Sequence, residues 1–290
     1  MTDTAAPVAE RHRERLRAFL KDGYTVFGPD EPTRAWAAAA RPLAERIARD
    51  PAETERWLRC AGTWFAGVNV FPNGPEGSVP EAGIPPLAGA AVTFLAEALG
   101  IALGPDGAGR LSLEPAQISV CYPGYPAAPM AGESEAAFRF RRNRDGAHVD
   151  GLQRDAQRRR NIGEAHAFLL GLPLAPAPPG GAPFVVWQGS HHLVREALAA
   201  RLAGLAPEAW PAEDVTEAYT AVRRRIFDEC PRIALTAPPG GAYLVHRLAL
   251  HGMAPWPEGV AGAPARMIAY FRPELPGRDF ATWLAPDPAP

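Results

Sequence analysis

The stretch that decides the fold is Gly240-Gly241-Ala242-Tyr243-Leu244-Val245-His246-Arg247-Leu248-Ala249-Leu250-His251-Gly252. Two glycines mark a turn, an aromatic and aliphatic run of strand character follows, and a histidine stands at its end. Runs of the same texture lie on either side: LSLEPAQISVCY (111–122), AFLLGLPL (167–174), APFVVWQGS (182–190), RIALTA (232–237) and RMIAYFRP (266–273). Several short strands set between Gly/Pro clusters indicate a β-sandwich or jelly-roll barrel. The clusters PAPPGG (176–181) and PPGG (238–241) read as tight turns, and residues 283–290 as a loose tail.

The first third has a different period. Apolar residues recur at helical spacing over residues 9–20 and 33–48, with Asp30 and Thr33 available as caps. A further helix is expected over 86–99, closed by Gly100, and one or two turns over 53–58. The alanine-rich, charged interval 194–228 reads as one or two helices inserted between strands. The expected fold class is therefore α+β, in a single domain spanning 1–290, with a helical layer over about 8–108 and a β-core over about 109–275.

A length of 290 residues suits one elaborated β domain, and 47% apolar content suffices for a large core. A formal net charge of −2 gives no long-range attraction to nucleic acid or to a membrane surface. The N-terminal residues lack an apolar leader, no stretch approaches about 18 uninterrupted apolar residues, and Cys60, Cys121 and Cys230 form no CxxC pair. A cytoplasmic protein acting on a small molecule, with no membrane or nucleic-acid partner, is the expectation. The oligomeric state is not legible.

The chemistry gathers around His148-Val149-Asp150. A metal that must keep positions open for a cosubstrate and dioxygen is held on one face by two histidines and one carboxylate. In a strand, residues i and i+2 project from the same face, so His148 and Asp150 can converge on one ion beside the small residues Gly146, Ala147 and Gly151. An HxD triplet alone is a weak signal. His251, 103 residues downstream (251 − 148), would complete the set, and Arg266, 15 residues further (266 − 251), offers the planar, permanently charged fork that grips a carboxylate. His246 is the rival for the distal position, but five residues earlier on one strand it would face the other way.

Together these residues resemble the phytanoyl-CoA dioxygenase-like family of Fe(II)/2-oxoglutarate-dependent oxygenases. The likeness covers roughly 117–273 and is carried by QISVCYPG (117–124), His148-Val149-Asp150, Gly189-Ser190-His191, and His251 followed by Arg266. It implies a double-stranded β-helix (jelly-roll/cupin-like) core, Fe(II) on His148, Asp150 and His251, and 2-oxoglutarate salt-bridged to Arg266, with dioxygen as the third participant. Hydroxylation of a small organic substrate is the implied outcome. The chain departs from the family at Val149 and Met253, where a polar residue and a serine are usual.

Gln117 either reaches the cosubstrate or makes a sheet hydrogen bond, and Tyr122 has the same two readings. His166 either lines the cosubstrate pocket or is a satisfied core histidine. His191 and His192 read as structural, and His12 as solvated. Eight arginines between 139 and 160 are expected on a solvated loop, or as an anion-attracting rim that would suit an anionic substrate. Two other functions share these features: a cupin-like metal oxygenase or isomerase that does not use 2-oxoglutarate, and a degenerate, non-catalytic binding barrel.

Overall fold

Consecutive strands of the C-terminal half take turns between two antiparallel sheets. In the computed structural model, which describes residues 8–107, 109–260 and 264–287, Phe168–Pro173 lies in a seven-stranded sheet and Phe184–Trp187 and Arg232–Leu235 in a three-stranded one. Ala242–His246 then returns to the large sheet, His251–Met253 to the small one, and Arg266–Phe271 to the large one again. All pairings within these two sheets are antiparallel.

The two faces of the large sheet explain the apolar runs. Every residue of Phe168–Pro173, Ala242–His246 and Arg266–Phe271 is buried, because helices cover one face and the small sheet covers the other. Alternate side chains divide accordingly. Leu170, Leu172, Leu244, Ala269 and Phe271 join Phe19, Trp36, Leu43 and Phe94 beneath the helices, whereas Leu169, Tyr243, Val245, Ile268 and Tyr270 meet Phe184 and Val186 between the sheets. A third core lies outside the small sheet, where Val185 and Trp187 pack on Val194, Leu198, Tyr219 and Ile226 of the inserted helices.

The expected helices form at Val8–Asp22, Glu31–Arg49, Pro51–Trp57, Ala90–Ala98, Ser190–Arg201 and Thr216–Glu229. Asp30 caps the second, its carboxylate accepting from Thr33 N at 2.9 Å. The first third is not only helical. Tyr24–Phe27, Leu58–Arg59 and Trp64–Phe71 complete the large sheet, in the order Tyr24–Phe27, Ala242–His246, Phe168–Pro173, Arg266–Phe271, Ala116–Cys121, Trp64–Phe71, Leu58–Arg59.

Two further expectations are corrected. The arginine-rich segment contains a helix, Glu135–Asn143, capped by Ser134. The tail is tethered as far as Asp287, whose carboxylate pairs with Arg195, His246 and Arg247; residues 288–290 lie outside the described residues. Among the described residues no helix is long and apolar enough to cross a membrane.

Candidate active site

His148 and His251 meet through their backbones. Each donates its N–H to the other's carbonyl, at 2.8 and 2.9 Å, as an isolated antiparallel bridge at the start of the His251–Met253 strand. This pairing brings the imidazoles to 4.6 Å between centroids. The HVD triplet is thus a bridge followed by a turn and not the regular strand expected, but the alternation survives. Val149 points away into the core beneath the inserted helices, its N–H donating to the Tyr219 hydroxyl at 3.1 Å, so its apolar character is a packing requirement.

Two glycines allow the approach. Gly252 follows His251, and a Cβ there would stand 2.3 Å from the Asp145 carbonyl oxygen. Gly151 follows Asp150 at φ +84°, where a Cβ would stand 2.4 Å from the Glu164 carbonyl.

The Asp150 carboxylate sits between the rings, with Oδ1 3.3 Å from His148 Nε2 and Oδ2 3.5 Å from His251 Nε2. One ligand atom from each of the three residues lies within 4.8 Å of the others. Burial opposes ionisation of Asp150, but His251, Arg272 and the hydrogen bonds from both histidines hold its carboxyl well below the usual range. Both histidines are braced on their far nitrogens: His148 Nδ1 is 3.0 Å from Gly146 O, and His251 Nδ1 is 3.0 Å from Ala249 O. Carbonyls only accept, so each Nδ1 carries a proton, and in the neutral ring Nε2 is the nitrogen left to bind a cation. Phe184 stacks on His251 at 5.3 Å and 16°. His251 is buried, while the His148 side chain is 47% exposed, which puts the open side of the site at His148.

Two imidazole Nε2 atoms and one carboxylate therefore converge on one point. The set can hold a cation, and an N₂O donor set on one face suits a divalent first-row ion such as Fe(II), which the three residues fit.

A cavity of about 240 Å³ opens on the triad, with Trp64, Leu169, Phe184 and Met253 as apolar wall and Gln117, Tyr270 and Arg272 among its polar groups. Its other ionic groups are already paired: Arg141 with Glu133 at 2.9 Å, and Asp145 with Arg232 at 2.6 and 2.9 Å.

Arg266 does not line this cavity. It lies directly behind two wall residues, its guanidinium donating to the Tyr270 hydroxyl at 2.6 Å and, more weakly, to the Tyr243 hydroxyl at 3.4 Å and the Met253 sulfur at 3.5 Å. Arg266 is 4% exposed, and among the described residues no carboxylate pairs with it. Gln117 is on the wall. His166 is not; it lines an adjoining cavity of about 160 Å³ and hydrogen-bonds Glu164 at 3.1 Å.

His246 lies outside the site because the Gly240–Gly252 run is broken. His246 ends a strand of the large sheet, residues 247–250 cross over, and His251 opens a strand of the small one. His191 is structural as expected, fully buried with Nε2 2.8 Å from Leu20 O. Of the eight arginines, only Arg141 reaches the cavity; Arg144 and Arg160 lie over Phe227 and Tyr219, and Arg139 and Arg159 pair with Glu135 and Asp155.

Sequence reasoning passed over Tyr270 and Arg272. Counting by twos from Arg266 along its strand would have placed both on the inner face.

No protein-family model matches the sequence, and no curated protein matches it. Solved structures do. EvdMO1 is 14% identical, with a TM-score of 0.50 over 92% of this chain, which spans 50% of that protein. AviO1 from Streptomyces viridochromogenes Tue57 is 16% identical, with a TM-score of 0.48 over 96% of this chain and 98% of its own. SnoK, a non-heme alpha ketoglutarate dependent carbocyclase from nogalamycin biosynthesis, is 14% identical, with a TM-score of 0.47 over 98% of this chain and 96% of its own. At this level of identity the likeness to EvdMO1 is one of fold.

Proposed function

We propose that the chain is a cytoplasmic, Fe(II)- and 2-oxoglutarate-dependent dioxygenase of the phytanoyl-CoA dioxygenase-like kind, built on a double-stranded β-helix and hydroxylating a small organic substrate. The observation that carries the reading is the convergence of His148 Nε2, His251 Nε2 and Asp150 on one point, with both Nδ1 atoms tied to carbonyls. The alternation of strands between two sheets and the free state of Cys60, Cys121 and Cys230 accord with it.

Arg266 supports the cosubstrate half of the proposal. A buried guanidinium without a counter-charge is costly, and the cost is relieved by an anion. The Tyr270 hydroxyl accepts from both Arg266 and Tyr243, at 2.6 and 2.9 Å, so its own proton is free to donate into the cavity. In this reading Arg266 and Tyr270 together hold the distal carboxylate of 2-oxoglutarate, while His148, Asp150 and His251 hold the metal. Bound there, Fe(II) with 2-oxoglutarate and dioxygen supplies an oxidising power that no side chain has. The protein places the groups, and the apolar wall of Trp64, Leu169 and Phe184 keeps water from the reacting centre.

The test is an anaerobic titration of the Fe(II)-loaded protein with 2-oxoglutarate, following the weak visible charge-transfer band of the chelate. The band is expected in wild type, is lost when His251 is replaced by alanine, and requires far more 2-oxoglutarate in Arg266→Gln. Metal binding without any band would leave a cupin-like enzyme independent of 2-oxoglutarate as the better reading.

A further inference from the structure

Among the described residues, Arg272 is the one cation on the cavity wall that is not already neutralised by a dedicated carboxylate. Its guanidinium lies 3.7 Å from Asp150 Oδ1, its only ion pair among the described residues. That partner is committed elsewhere once a metal draws on the carboxylate. Glu164, the other acid whose charge Arg272 feels, is hydrogen-bonded to His166 at 3.1 Å. The remaining wall charges, Arg141 and Asp145, are closed by Glu133 and Arg232.

Counting the charges of the ion, Asp150 and the two arginines then gives a remainder. A divalent ion partly offset by Asp150, with Arg266 behind Tyr270 and Arg272 on the wall, leaves three positive charges, and dianionic 2-oxoglutarate answers two. We propose that the third is answered by the primary substrate: Arg272 seats a carboxylate of a small, otherwise apolar molecule, whose body packs on Trp64, Leu169 and Phe184. The inference rests on the metal and cosubstrate reading above and extends it to substrate class. It also moves the source of an anionic preference from the arginine-rich segment to a single residue. Arg272 is suited to the role by position as well as charge. It continues the inward face of the Arg266–Phe271 strand, its side chain is 23% exposed, and it borders both cavities. A planar guanidinium can give such an anion two parallel hydrogen bonds.

The experiment uses the full chain loaded anaerobically with Fe(II) and 2-oxoglutarate. Benzoate and its neutral isostere benzamide are titrated by calorimetry into wild type and Arg272→Gln, and 2-oxoglutarate binding is followed separately by its visible band. Benzoate is expected to bind at least tenfold more tightly than benzamide in wild type. The preference should disappear in Arg272→Gln, with 2-oxoglutarate affinity changed by less than about threefold. Equal binding of the two probes in wild type overturns the proposal, as does a benzoate preference that survives Arg272→Gln. A collapse of 2-oxoglutarate binding in Arg272→Gln like that of Arg266→Gln also overturns it, because Arg272 would then serve the cosubstrate. Should Arg272→Gln not fold, Arg272→Lys replaces it: a threefold or greater loss of benzoate affinity with 2-oxoglutarate binding intact supports the anchor, and unchanged benzoate affinity overturns it. Absence of the 2-oxoglutarate band in wild type would sink the proposed function, whereas the dependence of benzoate on Arg272 would still decide this assignment.

Discussion

The guanidinium of Arg266 lies behind the cavity wall and donates at 2.6 Å to the hydroxyl of Tyr270, a residue of that wall. Removing that hydroxyl should separate cosubstrate binding from metal binding. In Tyr270→Phe a bound carboxylate loses one charge-assisted donor, and Arg266 loses its best-placed acceptor. A hydrogen bond to a charged group contributes about 1.5–3 kcal/mol, so 2-oxoglutarate affinity is expected to fall by roughly tenfold to a hundredfold. Titration of the visible band measures it, with Fe(II) affinity as the quantity that stays constant; an unchanged 2-oxoglutarate affinity would remove Tyr270 from the site.

The same strand shows what was and was not legible in the sequence. Runs such as RMIAYFRP and AFLLGLPL announce themselves because both faces of the large sheet are covered, and burial on two sides leaves no polar residue to interrupt the texture. Trp64–Phe71 carries Gly67 and Asn69, residues poor in strand character, and its register with Ala116–Cys121 shifts between Gly67 and Phe71. Tyr24–Phe27 has only four residues. Neither had a pattern long enough to be read. Glu135–Asn143 was hidden by its arginines, although Ser134 is an ordinary helix cap, its hydroxyl accepting from Ala137 N at 3.2 Å. The convergence of His148, Asp150 and His251 was legible because it depends on residue types in order along the chain. Arg272 was not, because its significance lies in the charges that its neighbours lack.

Close packing beside the triad gives a second prediction. In Gly252→Ala the new Cβ would stand 2.3 Å from the carbonyl oxygen of Asp145, which also accepts from Met253 N at 2.9 Å, so the backbone must part between the two segments. Overpacking of this kind costs about 1–3 kcal/mol, and here it bears on the bridge between His148 and His251. Both thermal stability and metal affinity should fall. Gly28→Ala, where nothing lies within 4 Å of the added atom, is the control expected to change neither.

Metal binding should stabilise the fold by mass action, because the unfolded chain cannot assemble residues 148, 150 and 251. At a free metal concentration about 100 times Kd, the gain is about 2.7 kcal/mol, read as a rise in Tm under anaerobic Fe(II) or with Co(II). The shift should vanish in His251→Ala and in Asp150→Ala. A wild-type Tm indifferent to either metal would mean that the three lone pairs do not take up a cation.

Acid sensitivity should come from a different part of the molecule. The rings of His246 and His191 lie 4.6 Å apart between centroids, tilted by 41°, away from the His148, Asp150 and His251 triad. Burial, with neighbouring positive groups, pushes His246 down to about 4 and His191 to about 3. The unfolded chain would protonate both near pH 6.5, so between that value and about pH 4 it binds protons that the folded chain refuses. The stability they confer is complete above pH 6.5 and drains as pH falls, by up to about 1.4 kcal/mol per pH unit for each ring. Asp287, held below the usual carboxylate range despite burial by its hydrogen bond to His246 and by Arg195 and Arg247, adds its own loss only at still lower pH. His166 works in the opposite direction: its pKa is raised beside Glu164 despite burial, and one such group cannot offset two. Wild-type Tm should therefore decline from pH 7 to pH 4. In His246→Gln the decline should be shallower by about half, whatever the variant's stability at pH 7; an unchanged slope would show that the buried histidines do not set the acid limit.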